Sequence, residues 1–239
     1  MRFAVLLSGG IGTRISSDIP KQYIRIAGHM IVTHALSVLL DSDHIDDVYI
    51  VAEQKWRDFI FEDAWNMDLK KGKIHSFAPP GKTRQLSILN AMQLISKDSQ
   101  KSNNQITDKD TVLIHDAARP LLTGELLEKC YKALSGHDGV MPVLPMKDTV
   151  YLSEDGNGVS ELLDRKKVFA GQAPELFRFK KYYDANMNLM PDKILNINGA
   201  SEPAIMAGMD IVMIPGDERN FKVTTDTDME RFREIMGNA

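Results

Sequence analysis

Short runs rich in apolar and β-branched residues recur along this 239-residue chain, at 3–7, 48–52, 74–77, 112–115, 140–143 and 211–214. Segments with helical apolar spacing lie between most of them, at 32–40, 56–66, 87–95, 125–134 and 179–190. Strands separated by helices pair side by side through crossovers, which predicts an α/β fold with a mostly parallel sheet flanked by helices on both faces. With 43% hydrophobic residues the chain can fill one substantial core, so a single domain over 1–239 is expected. Sheets of this kind bind ligands beyond the carboxyl ends of their strands. The segments that follow 3–7 and 112–115 should therefore converge on one crevice.

Two stretches depart from the alternation. Residues 97–110, with Ser99, Ser102, Asn103, Asn104 and Asp108, read as an exposed linker between a helix and the next strand. Residues 147–172 contain Thr149-Val150-Tyr151-Leu152, the turn sequence Asp155-Gly156-Asn157-Gly158, and apolar runs at 159–163 and 168–169, so they read as an inserted hairpin or extended β-arm. A lone hairpin is marginally stable in water. The arm should pack either on a second subunit or as an antiparallel edge of its own sheet.

The 29 basic and 33 acidic residues leave a net charge of −4, which offers no overall attraction to nucleic acid or to an anionic membrane, so any phosphate affinity must be local. Cys130 is the only cysteine; an intramolecular disulfide and a cysteine-rich metal site are excluded, and a reducing cytoplasm is the natural compartment. No apolar run approaches the roughly 18 residues of a membrane span, and no secretory signal core opens the chain, so a soluble cytoplasmic protein is expected.

The first strand opens into Ser8-Gly9-Gly10-Ile11-Gly12-Thr13-Arg14, followed shortly by Pro20-Lys21-Gln22. Glycines let backbone N–H groups approach an anion, and Arg14 and Lys21 add two charges able to follow a polyphosphate during reaction. The pattern points to nucleotidyl transfer, with a tight structural turn as the alternative. There is no Gly-x4-Gly-Lys-Ser/Thr run, and Ile15 stands where the third glycine of a dinucleotide fingerprint would fall, which excludes both familiar motifs.

The strand at 112–115 leads into His115-Asp116-Ala117-Ala118-Arg119-Pro120. A carboxylate at that strand tip is placed to hold Mg²⁺ against phosphate oxygens, because Mg²⁺ commonly takes only one or two protein carboxylates; otherwise Asp116 caps the next turn and pairs with Arg119. His115 reads as a packing or hydrogen-bonding residue, since no second His stands at ligand spacing. In Pro80-Gly81-Lys82-Thr83-Arg84-Gln85-Leu86-Ser87, Gly81 can admit a base and Ser87 can offer a hydroxyl, although alone the segment reads as a strand-to-helix turn with a cap. Lys222 is either a phosphate ligand or a solvated lysine, and Asp226 and Asp228 read as first-turn charges of the last helix.

Together, Gly9-Gly10-Ile11-Gly12-Thr13-Arg14, Pro20-Lys21-Gln22, Arg84-x-x-Ser87, His115-Asp116-Ala117-Ala118-Arg119-Pro120, Asp148-Thr149, Asp164-Arg165 and Asn220-x-Lys222-Val223-Thr224 stand in the order and spacing of one family. Over nearly its whole length the chain resembles the cytidylyltransferases that act on 2-C-methyl-D-erythritol 4-phosphate or D-ribitol 5-phosphate. The resemblance implies a Rossmann-like nucleotidyltransferase that moves CMP from CTP to a polyol phosphate with Mg²⁺, releasing pyrophosphate. It implies that Ser8, Gly9, Gly10, Gly12 and Thr13 wrap the triphosphate while Arg14 and Lys21 stabilise charge at the α-phosphorus. Gly81, Lys82, Ser87 and Ala117 would meet the nucleotide, and Asp116 would hold Mg²⁺. Thr149, Arg165 and the catalytic Lys222 would grip the acceptor's phosphate, and the arm at 147–172 would reach a neighbouring subunit in a homodimer.

The chain also departs from that family. Gln172-Ala173-Pro174-Glu175 stands where Thr-Pro-Gln is usual, and Asn198-Gly199-Ala200-Ser201 where Asp-Asp-Ala-Ser is usual. Arg219 occupies the place of a second metal carboxylate, with Asp217 and Glu218 slightly earlier, and Lys82 stands where an acidic residue is frequent. The glycine loop resembles the ribitol-phosphate enzymes and Asp-Ala-Ala-Arg-Pro the methylerythritol ones, so the acceptor, and with it an isoprenoid or cell-wall polymer role, stays open. Two other readings remain: a nucleotidyltransferase for another nucleotide and sugar phosphate, and an inactive nucleotide-binding relative.

Overall fold

The computed structural model describes residues 1–10, 19–69 and 71–237. In chain order its elements are β1 (Arg2–Leu7), β2 (Arg25–Ile26), β3 (His29–Met30), α1 (Ile31–Asp41), β4 (Asp47–Val51), α2 (Gln54–Asn66), β5 (Ile74–Ala78), α3 (Arg84–Lys101), β6 (Thr111–Asp116) and α4 (Gly124–Ala133). Then follow β7 (Gly139–Pro145), β8 (Val150–Leu152), β9 (Glu161–Leu163), β10 (Phe169–Gly171), β11 (Glu175–Arg178), α5 (Phe179–Met187), α6 (Ser201–Met206), β12 (Ile211–Pro215) and α7 (Asp226–Gly237).

One eight-stranded sheet runs β10-β7-β11-β6-β1-β4-β5, with β12 also paired to β7. Most strands joined by helices run parallel as expected: β6, β1, β4 and β5 form one parallel block, and β12 lies parallel to β7. The exceptions are β11, antiparallel to β6 and β7, and β10, antiparallel to β7. They occur where the chain returns from the arm without a helical crossover, so nothing forces it to re-enter in the same direction.

Successive side chains of a strand point to opposite faces, and β1 divides accordingly. Ala4 and Leu6 pack with Leu36 and Leu39 of α1 and Leu126 and Leu127 of α4. Phe3 and Val5 pack with Ile88 and Met92 of α3 and Phe179 and Tyr182 of α5. A fully buried side chain of this size contributes about 1.5–3 kcal/mol, so β1 and β6, sandwiched on both faces, fix the positions of whatever follows them.

Helix α3 runs on through Lys101, so the first residues of the expected 97–110 linker are helical. Their polarity hid a buried stripe, Ile88, Met92, Ile95 and Ser99, that continues at helical spacing. The arm forms the hairpin β8–β9, closed where the Asp155 carboxylate accepts the N–H groups of Asn157 and Gly158. The return segment at 169–171, assigned to the arm from sequence, is instead a strand of the main sheet. No helix among the described residues is long and apolar enough to cross a membrane.

Candidate active site

Beyond the carboxyl ends of β1 and β6 lies a cavity of about 540 Å³, within the usual range for a small-ligand site. Ser8, Gly9 and Gly10 form one wall, residues from Pro80 to Ser87 another, and Lys21, Glu53, Asp116, Ala118 and Lys222 stand between them. A larger cleft of about 740 Å³, walled by Tyr23, Trp56, Phe59 and α7, carries charges of mixed sign, Arg25 and Arg233 against Asp226 and Glu230. Four cations, Lys21, Lys82, Arg84 and Lys222, against two carboxylates, Glu53 and Asp116, mark the smaller cavity as the chemical one.

Each wall is shaped by a local constraint. A Cβ on Gly9 would sit 2.5 Å from Pro80 Cβ, and one on Gly81 would sit 2.5 Å from Leu86 Cβ and 2.7 Å from the Leu86 carbonyl carbon, so both positions require glycine by contact. The Ser8 hydroxyl donates to the Val51 carbonyl (2.7 Å). The Ser8 carbonyl accepts from Gln22 Nε2 (2.6 Å) and the Tyr23 hydroxyl (2.7 Å), and Gln22 Nε2 also reaches the Gly10 carbonyl (2.6 Å). The short 3₁₀ turn Lys21–Tyr23 thus braces the glycine loop while presenting Lys21 to the cavity. On the other wall Thr83 caps α3, and the Ser87 hydroxyl accepts the Gly81 N–H (2.9 Å) and donates to the Thr83 carbonyl (3.0 Å). Ser87 therefore holds the shape of the Gly81 loop.

Asp116 is the electrostatic centre. Its Oδ1 accepts from Arg84 Nε (3.1 Å) and Nη2 (2.9 Å), and its Oδ2 from Lys222 Nζ (2.8 Å). Burial opposes ionisation, but Arg84 and Lys222 outweigh it and pull the carboxyl far below the ordinary range. Behind Arg84 lies Glu175, its Oε2 3.9 Å from Nη2. Burial pushes this carboxyl up to about 7 against the pull of Arg84, and Asp116 adds to the rise. His115 is fully buried, pushed down to about 4, and its Nε2 donates to the Arg119 carbonyl (3.0 Å), which is the packing role its sequence context indicated.

Ionising Glu175 costs more in the folded chain than in the unfolded one. The stability contributed by its neutral form is intact below the ordinary carboxyl value of 4.5 and is lost as pH rises through about 7. Glu175→Gln is expected to remove that loss, on the order of 3 kcal/mol at alkaline pH. Thermal unfolding from pH 5 to 9 should show the variant overtaking wild type above neutrality. Parallel curves would contradict it.

A family model described as IspD, 2-C-methyl-D-erythritol 4-phosphate cytidylyltransferase, matches residues 3–238. The chain belongs to the IspD family. It is 31% identical, over 99% of its length, to the bifunctional enzyme IspD/IspF of Maricaulis maris, and spans 57% of that longer protein. It is 30% identical to the 2-C-methyl-D-erythritol 4-phosphate cytidylyltransferase of Thermotoga neapolitana, with 98% of this chain and 96% of that one covered. The ribitol-5-phosphate cytidylyltransferase of Streptococcus agalactiae serotype III is 26% identical, with 98% and 95% covered. Among solved structures, the Francisella tularensis 2-C-methyl-D-erythritol 4-phosphate cytidylyltransferase (IspD) superposes with a TM-score of 0.78 at 23% identity, 98% of each chain being covered, and so shares the fold.

Of the residues singled out from the sequence, Ser8, Gly9, Gly10, Lys21, Gly81, Lys82, Ser87, Asp116 and Lys222 line this one cavity of the IspD fold. Gly12, Thr13 and Arg14 lie outside the described residues. Ala117 does not line it: its N–H continues the ladder to the Leu7 carbonyl and its side chain is buried in the core, so its neighbour Ala118 faces the cavity. Thr149 and Arg165 sit on the arm and line no part of this chain's cavity; Arg165 Nη1 donates to the Lys147 carbonyl (2.7 Å). The alternative reading of Asp116, a pair with Arg119, is not what forms: Arg119 Nη1 donates to the Asn220 carbonyl (2.8 Å) and Arg84 meets Asp116 instead. Arg219, which the resemblance set in the place of a second metal carboxylate, pairs with Asp217 on the exterior (3.0 Å), and neither lines the cavity.

Proposed function

We propose that this protein transfers CMP from CTP to a polyol phosphate, either D-ribitol 5-phosphate or 2-C-methyl-D-erythritol 4-phosphate. An acceptor phosphate oxygen attacks the α-phosphorus, a new O–P bond forms, the bond to the β-phosphate oxygen breaks and pyrophosphate leaves. The acceptor phosphate is an anionic nucleophile already, so no covalent enzyme intermediate is needed. The chain's task is to neutralise two repelling anions and align them. The observation that carries this reading is the meeting of Lys21, Lys222, Arg84 and Asp116 with two glycine loops around a single cavity.

Gly9 and Gly10 would admit the triphosphate, Lys21 would face charge developing at the α-phosphorus, and Gly81, Lys82 and Ser87 would border the cytidine. Among the described residues no three His, Cys, Asp or Glu side chains form a ready metal cage, so a metal here would share its shell with substrate. Asp116, a hard oxygen donor lining a nucleotide-sized cavity, fits Mg²⁺ on those terms and would hold it through Oδ2, in exchange for the Lys222 ammonium that this oxygen meets. When bound, Mg²⁺ would supply charge neutralisation on the phosphate oxygens.

The reading includes a homodimer. Among the described residues the hairpin β8–β9 pairs only with itself, and it exposes Val159 (68%) and Leu162 (63%), apolar residues that a second copy would cover. Thr149 and Arg165 would then meet the acceptor phosphate in the neighbouring cavity, which explains their distance from their own. Ala173, lacking a threonine hydroxyl on the acceptor side, favours an acceptor other than, or in addition to, methylerythritol phosphate.

Pyrophosphate release with CTP, Mg²⁺ and each polyol phosphate tests the whole reading, with sedimentation run on the same samples. Turnover with at least one acceptor, CTP preferred over other nucleotides, and a dimer are expected. Inactivity with both acceptors, or an active monomer, would remove the corresponding part.

A further inference from the structure

We propose that Gln172 is a positioning residue that clamps the 216–223 loop and so fixes where Lys222 meets the reacting phosphates. The inference rests on the proposed role of Lys222 and adds the group that places it. Gln172 is buried directly after β10, and its amide makes two bonds to one residue: Nε2 donates to the Asp217 carbonyl (3.0 Å) and Oε1 accepts the Asp217 N–H (3.0 Å). The loop is held at four further points, one of them the Asn220 carbonyl that accepts from Arg119 Nη1. Gly216 N–H donates to the Val143 carbonyl (2.8 Å), Asn220 Nδ2 donates to the Ala173 carbonyl (2.7 Å), and Val223 N–H donates to the Ala118 carbonyl (2.8 Å). Between the last two stands Lys222, reaching Asp116.

The clamp leaves a signature in the loop's own sequence. A Cβ at Gly216 would lie 2.4 Å from Gln172 Oε1, so glycine there is what lets the amide approach. Because β10 and Gln172 are the arm's return path, the clamp also ties the strand leaving the arm to the loop that carries Lys222.

Two substitutions break the clamp by different routes. Gln172→Ala deletes the amide, and Gly216→Ala displaces it, since the added carbon strikes the free end of a flexible side chain. Kinetics with CTP, Mg²⁺ and whichever of the two polyol phosphates wild type uses faster should show each variant losing about tenfold in kcat, with KM for CTP changed by less than about threefold. The segments at 8–10 and 80–87 that would meet the nucleotide are not bonded to Gln172. The double variant should be no worse than the poorer single, because the severe Gly216→Ala collision, 2.4 Å from Gln172 Oε1, goes with Gln172 and leaves a 3.2 Å approach to the Val143 carbonyl that a small shift relieves. Gln172→Glu, which keeps the acceptor and loses the donor, should fall between. Wild-type kcat in Gln172→Ala, or losses that multiply in the double variant, would overturn the proposal.

Amide hydrogen exchange of residues 216–223 should rise in both single variants and no further in the double. Unchanged exchange would overturn the clamp even without turnover. A wild type inactive with both acceptors, but with exchange that depends on Gln172, would instead sink the functional reading alone.

Discussion

Lys21→Ala is expected to lower kcat on the order of 10²-fold or more while changing KM for CTP little. That is the pattern of a charge whose interaction strengthens only as the transition state forms. Lys21 is 9% exposed and is delivered to the cavity by a turn whose next two residues, Gln22 and Tyr23, are bonded to the glycine loop. It is thus placed before substrate arrives, and no reorganisation is needed when charge moves from the α-phosphorus toward the leaving pyrophosphate. Lys21→Met keeps the aliphatic stem that fills the site and should show the same kinetic loss with thermal stability above that of Lys21→Ala, separating lost charge from lost packing. Single-turnover transfer of CMP measures both. Near-normal turnover in either variant would remove Lys21 from the machinery.

The parts of this fold that could be read from the sequence are those where one physical pattern acts alone. Residues 3–7 and 112–115 are continuous apolar runs because both faces of β1 and β6 are covered, and the crevice beyond them follows from parallel connection. Pairing across the chain could not be read in the same way. Arg119 stands three residues from Asp116 and looked like its partner, but the turn at 116–119 directs it to the Asn220 carbonyl. The guanidinium that reaches Asp116 comes from the first turn of α3, 32 residues earlier in the chain. Arg84-x-x-Ser87 was the available signal, since a helix start that follows β5 must lie on the same sheet edge as the end of β6. Glu175 was hidden differently: the departure from Thr-Pro-Gln drew attention to the lost hydroxyl at Ala173, while the change with electrostatic consequence was the carboxylate two residues on, buried behind Arg84.

Asp116→Asn is expected to cost turnover as heavily as loss of Lys21, for a different reason. Burial disfavours the charged form of Asp116, yet Arg84 and Lys222 win, so the carboxylate stays ionised well below the ordinary carboxyl range. Its stabilisation is complete above the ordinary carboxyl value of 3.8 and fades only as pH falls below that value, so wild-type catalysis should show no acid limb from this residue. An amide of the same shape leaves two cations facing each other with no anion between them. Breaking a fully buried pair costs about 3–5 kcal/mol, and Lys222 is 37% exposed, so about 2–3 kcal/mol is expected at neutral pH. The cavity meanwhile gains one net positive charge, which favours a polyanion, so CTP should bind as tightly as to wild type or more tightly. Strong binding with failed transfer is what separates a centre that organises cations and metal around the reacting phosphates from one that merely attracts nucleotide. Calorimetry with CTP, beside CMP transfer by the same protein, would read both at once. An Asp116→Asn variant that kept half of its turnover would show that Lys222 and Arg84 hold their places without the carboxylate between them.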